Sequence, residues 1–298
     1  MNKEYIADRL KEVQDSICSD LESLDGNGKF KEDLWTRDEG GGGRTRVIQG
    51  SIIEKGGVNF SAVHGPLSEK ITKVLRIESG DFFASGVSIV LHPVNPHVPI
   101  IHMNIRYFEM SNGTWWFGGG IDLTPHYVDT KLAGDFHRAL KAVCDKHHRD
   151  YYARFKKWAD DYFYIQHRKE TRGIGGIFFD RLNEETEGLT KEQLLSFILD
   201  VGYLFAPLYK TMVDPKKNLQ FTEQQKQWQH IRRGRYTEFN LVYDKGTKFG
   251  LDTDGRIESI LMSLPPMAEW LYNHHPEAGS LEAESLKWHQ KEIDWINH

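Results

Sequence analysis

Apolar positions in the first residues recur at spacings of three and four: Ile6, Leu10, Val13, Ile17, Leu21 and Leu24. That period predicts a helix over residues 3–24, ended by Asp25–Gly28. Period-two alternation follows. Arg46–Glu54 and Val58–His64 read as strands joined by Lys55-Gly56-Gly57, with more strands near 82–92, 99–109 and Trp115–Phe117. Asn112-Gly113 is a hairpin turn into the last of these. Leu67–Leu75 is a short helix candidate. From Ala133 to about His167 the pattern is helical, marked by Phe136, Leu140, Val143, Tyr151, Phe155, Trp158 and Phe163, with a break near His147–Asp150. Gly173–Asp180 reads as a strand. Thr190-x-x-Gln193 and Thr222-x-x-Gln225 resemble capping boxes that open helices over 191–212 and 223–233. Tyr236–Tyr243, Phe249–Leu251 and Arg256–Leu264 read as strands, stopped by Pro265-Pro266, before a helical tail. Strand after strand with turn-length links argues for an antiparallel sheet. The expected class is α+β: residues 1–298 as a single domain, with a large, mostly antiparallel sheet of about seven strands flanked by helices on both faces.

Polar residues interrupt the central strands in a particular way. Side chains alternate between the faces of a strand, so Ser88, Val90 and His92 share one face, and His102, Asn104 and Arg106 share one face of the next strand. A dry core disfavours this, because an unpaired buried polar group costs roughly 1–3 kcal/mol; a cleft for a polar, anionic ligand accommodates it. Asp122 follows Gly118–Gly120, as either a helix N-cap or an exposed carboxylate in a cleft. Gly40–Gly43 lacks the Gly-Lys-Ser/Thr ending of a phosphate loop and is expected to be a mobile flap near a ligand.

Charge narrows the ligand. The net charge of −5 provides no global basic field, so an anion must be held by local arginines. Arg106, Arg168, Arg172, Arg235 and Arg256 stand beside glycines or on the polar strand face, whereas Arg232 and Arg233 are expected on a solvated helix end. One RRGRY cluster in an acidic chain is a weak case for nucleic acid, and none is expected as a partner. The two cysteines, Cys18 and Cys144, form no CxxC, and neither a disulfide nor a cysteine zinc site is expected. Nine of the fourteen histidines fall between His64 and His167, placing proton-transfer or metal-ligating groups in the central region. Their spacing matches no local metal motif. No apolar run reaches the ~18 residues of a membrane span. Glu4, Asp8, Glu12 and Asp15 suit neither a secretory signal nor a mitochondrial presequence, and the expected location is cytoplasmic.

The blocks ASGVSIVLHPVNPHVPIIHMNIRYFE, WWFGGGIDLTP, FKKWADDYF, HRKETRGIGGIFFD, RRGRYTEFNLVYDKGTKFGL and GRIESILMSLPP resemble, in order, the oxygen-dependent coproporphyrinogen III oxidases of haem synthesis. The resemblance spans Trp35 to Trp270. It implies loss of two propionate carboxyls of coproporphyrinogen III as carbon dioxide, leaving two vinyls in protoporphyrinogen IX, with molecular oxygen as co-substrate. It also implies a homodimer in which residues 236–271 contribute to dimerisation. By motif, His102 matches a proposed proton donor, and Asp122 a carboxylate proposed to hold the pyrrole N–H groups. Ser88, the Asn104-Ile105-Arg106 segment and the Asp254-Gly255-Arg256 turn match substrate contacts, with Ile105 contributing backbone only. Arg168 and Arg172 match arginines implicated in activity. His92, His102, His137 and His167 match positions proposed as ligands of a divalent metal in some members, although the chemistry is mostly treated as metal-free and no cofactor is required. The expected catalytic set is His102, Asp122 and Arg106, with Arg172 and Arg256 also holding propionates. A histidine-bound metal centre, a porphyrin carrier without catalysis and a nucleic-acid module are the alternatives.

Overall fold

The computed structural model describes residues 1–67, 72–73, 77–252 and 255–298. Helix α1 (Lys3–Asp25) is capped by Asn2, whose side chain accepts from Tyr5 N–H, and buries the stripe Ile6, Leu10, Val13, Ile17 and Leu21. Six strands follow: β1 (Lys31–Thr36), β2 (Gly41–Ile48), β3 (Ile53–Pro66), β4 (Asp81–Pro93), β5 (Ile100–Met110) and β6 (Trp115–Thr124). Next come α2 (Thr130–His147), α3 (Tyr151–Tyr162), the two-residue strands β7 (Tyr164–Ile165) and β8 (Glu170–Thr171), and β9 (Gly176–Leu182). Helices α4 (Glu184–Glu187), α5 (Lys191–Val213) and α6 (Glu223–Glu238) lead into a wide π turn at Phe239–Tyr243. Helices α7 (Lys245–Asp252), α8 (Ile257–Leu261) and α9 (Leu281–Leu286) complete the labelled elements.

The main sheet has seven strands in the order β1-β2-β3-β4-β5-β6-β9, every neighbour antiparallel. Alternation decides its faces. Val87, Ile89 and Leu91 of β4, Ile101, Met103, Ile105 and Tyr107 of β5, and Phe117 and Ile121 of β6 are buried in one apolar layer with α1, α2 and α5. A Cβ on Gly202 would lie 2.9 Å from Val13 and 3.0 Å from Ile105, so glycine lets α5 pass close between α1 and β5. Helix α5 is 23 residues long and, by length and composition, apolar enough to cross a membrane; in this fold its apolar side is part of the core. The opposite, polar face is partly covered by α6 and α8, so helices flank both faces. Arg233 and Gln229 of α6 donate to Pro93 O, and α8 meets the sheet where Asn59 donates to Ser259 O (2.8 Å).

Both capping boxes are present, at Thr190/Gln193 and Thr222/Gln225. Several expected elements differ. The glycines at 40–43 are no flap: Gly41–Gly43 belong to β2 and pair with β3, and Gly42 and Gly43 pair with β1 as well. Gly56 and Gly57 lie within β3, and the β2–β3 turn sits earlier, where the Asp25 carboxylate accepts from the backbone N–H groups of Ser51, Ile52 and Ile53. Tyr236–Tyr243 is helical: Tyr236, Phe239 and Tyr243 keep a three–four spacing, whereas only Phe239, Leu241 and Tyr243 alternate. Phe249–Leu251 and most of Arg256–Leu264 are helical too. The expected helix at Leu67–Leu75 falls largely outside the described residues. Arg232 and Arg233 are not solvated; they are buried on α6 and paired with Glu170 (2.9 Å) and Glu54 (2.6 Å).

Candidate active site

Strand register aligns the polar residues of the open face into three neighbouring rows. One row runs Val90, His102, Asp122, Gly176; the next runs Asn59, Ser88, Asn104, Gly120, Phe178; the third runs Ser61, Gly86, Arg106, Gly118. Where glycines stand, the floor between side chains is bare backbone. The result is a polar shelf on which Ser88, His102, Asn104 and Arg106 are partly exposed, while Gly118, Gly120 and Gly176 are buried. A hollow of about 440 Å³ elsewhere, lined by Asn95, Lys217 and Phe221 among others, contains none of these residues.

Asp122 is neither an N-cap nor an exposed carboxylate. It lies in β6 at 1 % exposure, below His102. Its Oδ1 accepts from His102 Nδ1 (2.8 Å) and from Arg172 Nη2 (2.7 Å), and Oδ2 accepts from Arg172 Nε at 3.3 Å. Burial alone would raise its pKa, but the Arg172 charge and the His102 hydrogen bond overrule that and hold the carboxyl below its ordinary range. Because Nδ1–H is committed to Asp122, Nε2 is the ring atom left to exchange a proton. His102 is half-buried, with the edge of Phe163 against it at 6.2 Å between ring centroids.

Arg172 is 2 % exposed. Its Nη1 donates to Asn240 Oδ1 (2.7 Å), and the guanidinium sits 4.4 Å from the Phe163 ring, 4.6 Å from Tyr236 and 4.8 Å from Phe239. Three aromatic faces and a carboxylate thus fix it in place. Burial opposes its charge; Asp122 restores it and holds its pKa above the usual value.

Arg106 is open to solvent and is held by Asn104 Oδ1 (2.8 Å) and Asp180 Oδ1 (2.9 Å). Ser88 stands opposite Asn104 across the strand pair. The Ile105 side chain points the other way, fully buried in the apolar layer, so only its backbone belongs to this strand's polar segment. Arg256 lies at the far end of the shelf, beside Thr45 (3.5 Å) and paired with Asp33. Gly255 donates to Gly250 O, while Asp254 lies outside the described residues. Arg168 does not reach the shelf: it is paired bidentately with Glu238, at 2.6 and 2.9 Å. Burial would raise the Glu238 pKa, but hydrogen bonds from Arg168 and His167 take it down to about 2.

The four candidate metal histidines do not form one ligand set. His92 donates Nε2–H to Ser263 O, and His102 is tied to Asp122. His137, on α2 behind the apolar layer, donates Nε2–H to Ile174 O and is bonded to Tyr152 OH; burial takes its pKa down to about 3. His167 is exposed and bonded to Glu238 and Tyr243. Among the described residues no three His, Cys, Asp or Glu side chains are grouped to hold a metal.

A sequence profile described as Coproporphyrinogen III oxidase matches residues 5–295. The chain belongs to the coproporphyrinogen III oxidase family. It is 48 % identical to coproporphyrinogen-III oxidase 1, chloroplastic, of Arabidopsis thaliana, over 96 % of this chain and 78 % of that one. It is 50 % identical to the mitochondrial oxygen-dependent coproporphyrinogen-III oxidase of Homo sapiens, over 96 % of this chain and 66 % of that one. The Drosophila melanogaster oxygen-dependent coproporphyrinogen-III oxidase is 48 % identical, over 96 % of this chain and 76 % of that one.

Two residues of the site were not apparent from the sequence: Asp180, which holds Arg106, and Asn240, which holds Arg172. Asp180 carried one signal: Gly176, Phe178 and Asp180 alternate onto one face of a predicted strand. Asn240 carried none, since the helical course of its segment was hidden by apparent alternation.

Proposed function

We propose that the chain carries out oxygen-dependent oxidative decarboxylation of two propionates of coproporphyrinogen III, giving the two vinyls of protoporphyrinogen IX, and that the polar shelf is where this occurs. For each propionate, R–CH2CH2COOH and O2 become R–CH=CH2, CO2 and H2O2, so oxygen takes two electrons and two protons. The electron-rich reduced macrocycle passes electrons to oxygen, and the C–H and C–CO2 bonds broken in the propionate replace them, so the ring leaves as a porphyrinogen; the reading needs no further cofactor. The observation that carries it is the juxtaposition of His102, buried Asp122 and Arg106 on one open face, beside a glycine floor.

The roles follow from access. His102 Nε2 takes a pyrrole N–H proton, and Asp122 stabilises the imidazolium through Nδ1–H. Asp122, with both oxygens engaged below the ring, acts through His102 rather than on the macrocycle. Oxygen then attacks the activated pyrrole, and the resulting peroxide removes a propionate β-hydrogen as carbon dioxide leaves. One freed electron pair forms the vinyl bond and the other expels hydroperoxide from the ring. The hydroperoxide takes the carboxyl proton to become H2O2, while His102 returns its proton to the pyrrole nitrogen. Arg106 and Arg256, both partly exposed, hold propionates, with Ser88 and Asn104 beside them. Arg172 is buried in its aromatic cage and positions Asp122.

A homodimer is part of this proposal. Leu241, Val242, Ile257, Met267, Trp270 and Leu271 all lie within or next to residues 236–271 and are 43–58 % exposed, an apolar surface suited to a second copy. The test of function is turnover of the porphyrinogen with and without oxygen, each with and without chelator. Carbon dioxide release only in air, unaffected by chelator, supports the reading. Loss of activity on chelation points to a metal centre, and binding without carbon dioxide release points to a carrier.

A further inference from the structure

We propose that Asp180 is an internal competitor for the substrate carboxylate on Arg106, setting affinity and easing departure of the product. This rests on the assignment of the shelf to coproporphyrinogen III. Three features of the fold place Asp180 there. The β6–β9 ladder pairs Phe117 with Leu182 and Gly119 with Phe179, so β9 holds one extra residue in a bulge that includes Asp180 and Arg181. Arg181 takes a left-handed conformation (φ 56°), one that non-glycine residues seldom adopt. Asp180 follows Gly176 and Phe178 onto the open face by alternation, and the bulge interrupts the ladder where Asp180 reaches across β6 to Arg106. Between them stands Gly118, where a Cβ would lie 2.4 Å from Asp180 Oδ1 and 2.9 Å from Arg106 Nε. A bulge, a left-handed arginine and a bare glycine thus converge on a single ion pair.

That pair is exchangeable. Arg106 and Asp180 are 35 % and 33 % exposed, and Arg106 retains its bond to Asn104 when Asp180 moves. Half-open pairs of this kind hold weakly. An incoming propionate can displace the Asp180 carboxylate and take the same guanidinium edge. The reaction converts a tetra-acid into a di-acid. Once the carboxylate at Arg106 is lost as carbon dioxide, Asp180 returns to Arg106 and nothing anionic retains the product there. Without Asp180 the arginine would attract anions indiscriminately and hold them longer.

The experiment titrates wild type, Asp180→Asn, Asp180→Glu, Arg106→Gln and the double variant with coproporphyrin III, the oxidised tetra-acid that cannot react, and with its uncharged tetra-ester. Asp180→Asn is expected to bind the tetra-acid about three- to tenfold more tightly, with tetra-ester affinity unchanged. Asp180→Glu should restore wild-type affinity, and the Asn substitution should have no effect once Arg106 is Gln. In turnover, Asp180→Asn should lower KM and become more sensitive to product inhibition. Equal or weaker tetra-acid binding by a folded Asp180→Asn protein overturns the proposal, since Asp180 would then merely support Arg106. An unchanged Asp180→Asn affinity beside an active wild type refutes this inference alone, whereas a wild type that releases no carbon dioxide in air refutes the functional assignment.

Discussion

Two arginine–carboxylate pairs of the polar face, Arg172–Asp122 and Arg106–Asp180, are built from the same groups and lie two rows of the sheet apart. Arg172–Asp122 is 2 % and 1 % exposed; Arg106–Asp180 is 35 % and 33 % exposed. The contact distances are nearly equal, 2.7 and 2.9 Å, so distance does not distinguish them. Burial does. In a low-dielectric interior each charge depends on the other, because neither is solvated by water, and breaking the pair leaves a stranded ion. At the open pair, water replaces either partner. The buried pair therefore supports the orientation of His102, while the open pair leaves Arg106 available to a ligand. The comparison shows how one sheet face combines a fixed proton site with an exchangeable anion site: by the depth at which each arginine sits.

Removing a carboxylate from each pair should separate them most sharply. Asp122→Ala strands Arg172 and is expected to cost about 3–5 kcal/mol of folding stability, while Asp180→Ala should change stability by at most about 1 kcal/mol. Urea melts of both variants check this; equal effects would mean that depth is not the distinguishing property. Where enough folded Asp122→Ala remains, its turnover should fall far more than its affinity for coproporphyrin III. Arg106→Gln is the complementary change. It should raise KM by about 10- to 100-fold, as expected for loss of a charge-assisted bond of ~1.5–3 kcal/mol, with the melting temperature nearly unchanged.

Acid should unfold the protein in two windows. Burial takes His137 and His289 down to about 3, and holds His92 and His126 well below 6.5. The unfolded chain then binds protons that the folded chain refuses, so stability is full above about 6.5 and falls as pH drops toward about 3, by ~1.4 kcal/mol per histidine per pH unit. Asp122 acts lower. Its folded pKa is depressed, so its contribution is present above the ordinary carboxylate range and is lost as pH falls through the folded value. Stability measured against pH in His137→Gln should show a slope between pH 4 and 6 shallower by about one histidine's share. An unchanged slope would mean that His137 takes up its proton without unfolding.

Much of this was legible in the chain itself. Strands β4 and β5 alternate cleanly, so Ser88, Asn104, Arg106 and His102 could be assigned to one face from position alone, and both Thr-x-x-Gln boxes marked true helix starts. The expected count of about seven strands holds with altered membership, because β1 and β2 lie in a glycine-rich stretch whose pairing comes from β3 rather than from local propensity. The partners of the arginines were not legible. Arg106 meets Asp180 at a separation of 74 residues, Arg172 meets Asn240 at 68, and Arg233 meets Glu54 at 179. Such pairings follow from the folded path, and a reading confined to neighbours assigns the charges to solvent, as it did for Arg232 and Arg233. Asp122 shows the same limit: glycines beside it suggested an open carboxylate, whereas they lie in a strand and Arg172 closes over the acid from 50 residues away.

The most direct measurement is the rate of carbon dioxide release from coproporphyrinogen III in air by His102→Ala, with its melting temperature as a control for folding. If His102, oriented by Asp122, moves the proton, kcat should fall by about 10²–10⁴-fold in a protein that melts within a few degrees of wild type. A folded variant that keeps kcat within about threefold, a barrier change below ~1 kcal/mol, would contradict the assignment of this face as the site of the chemistry.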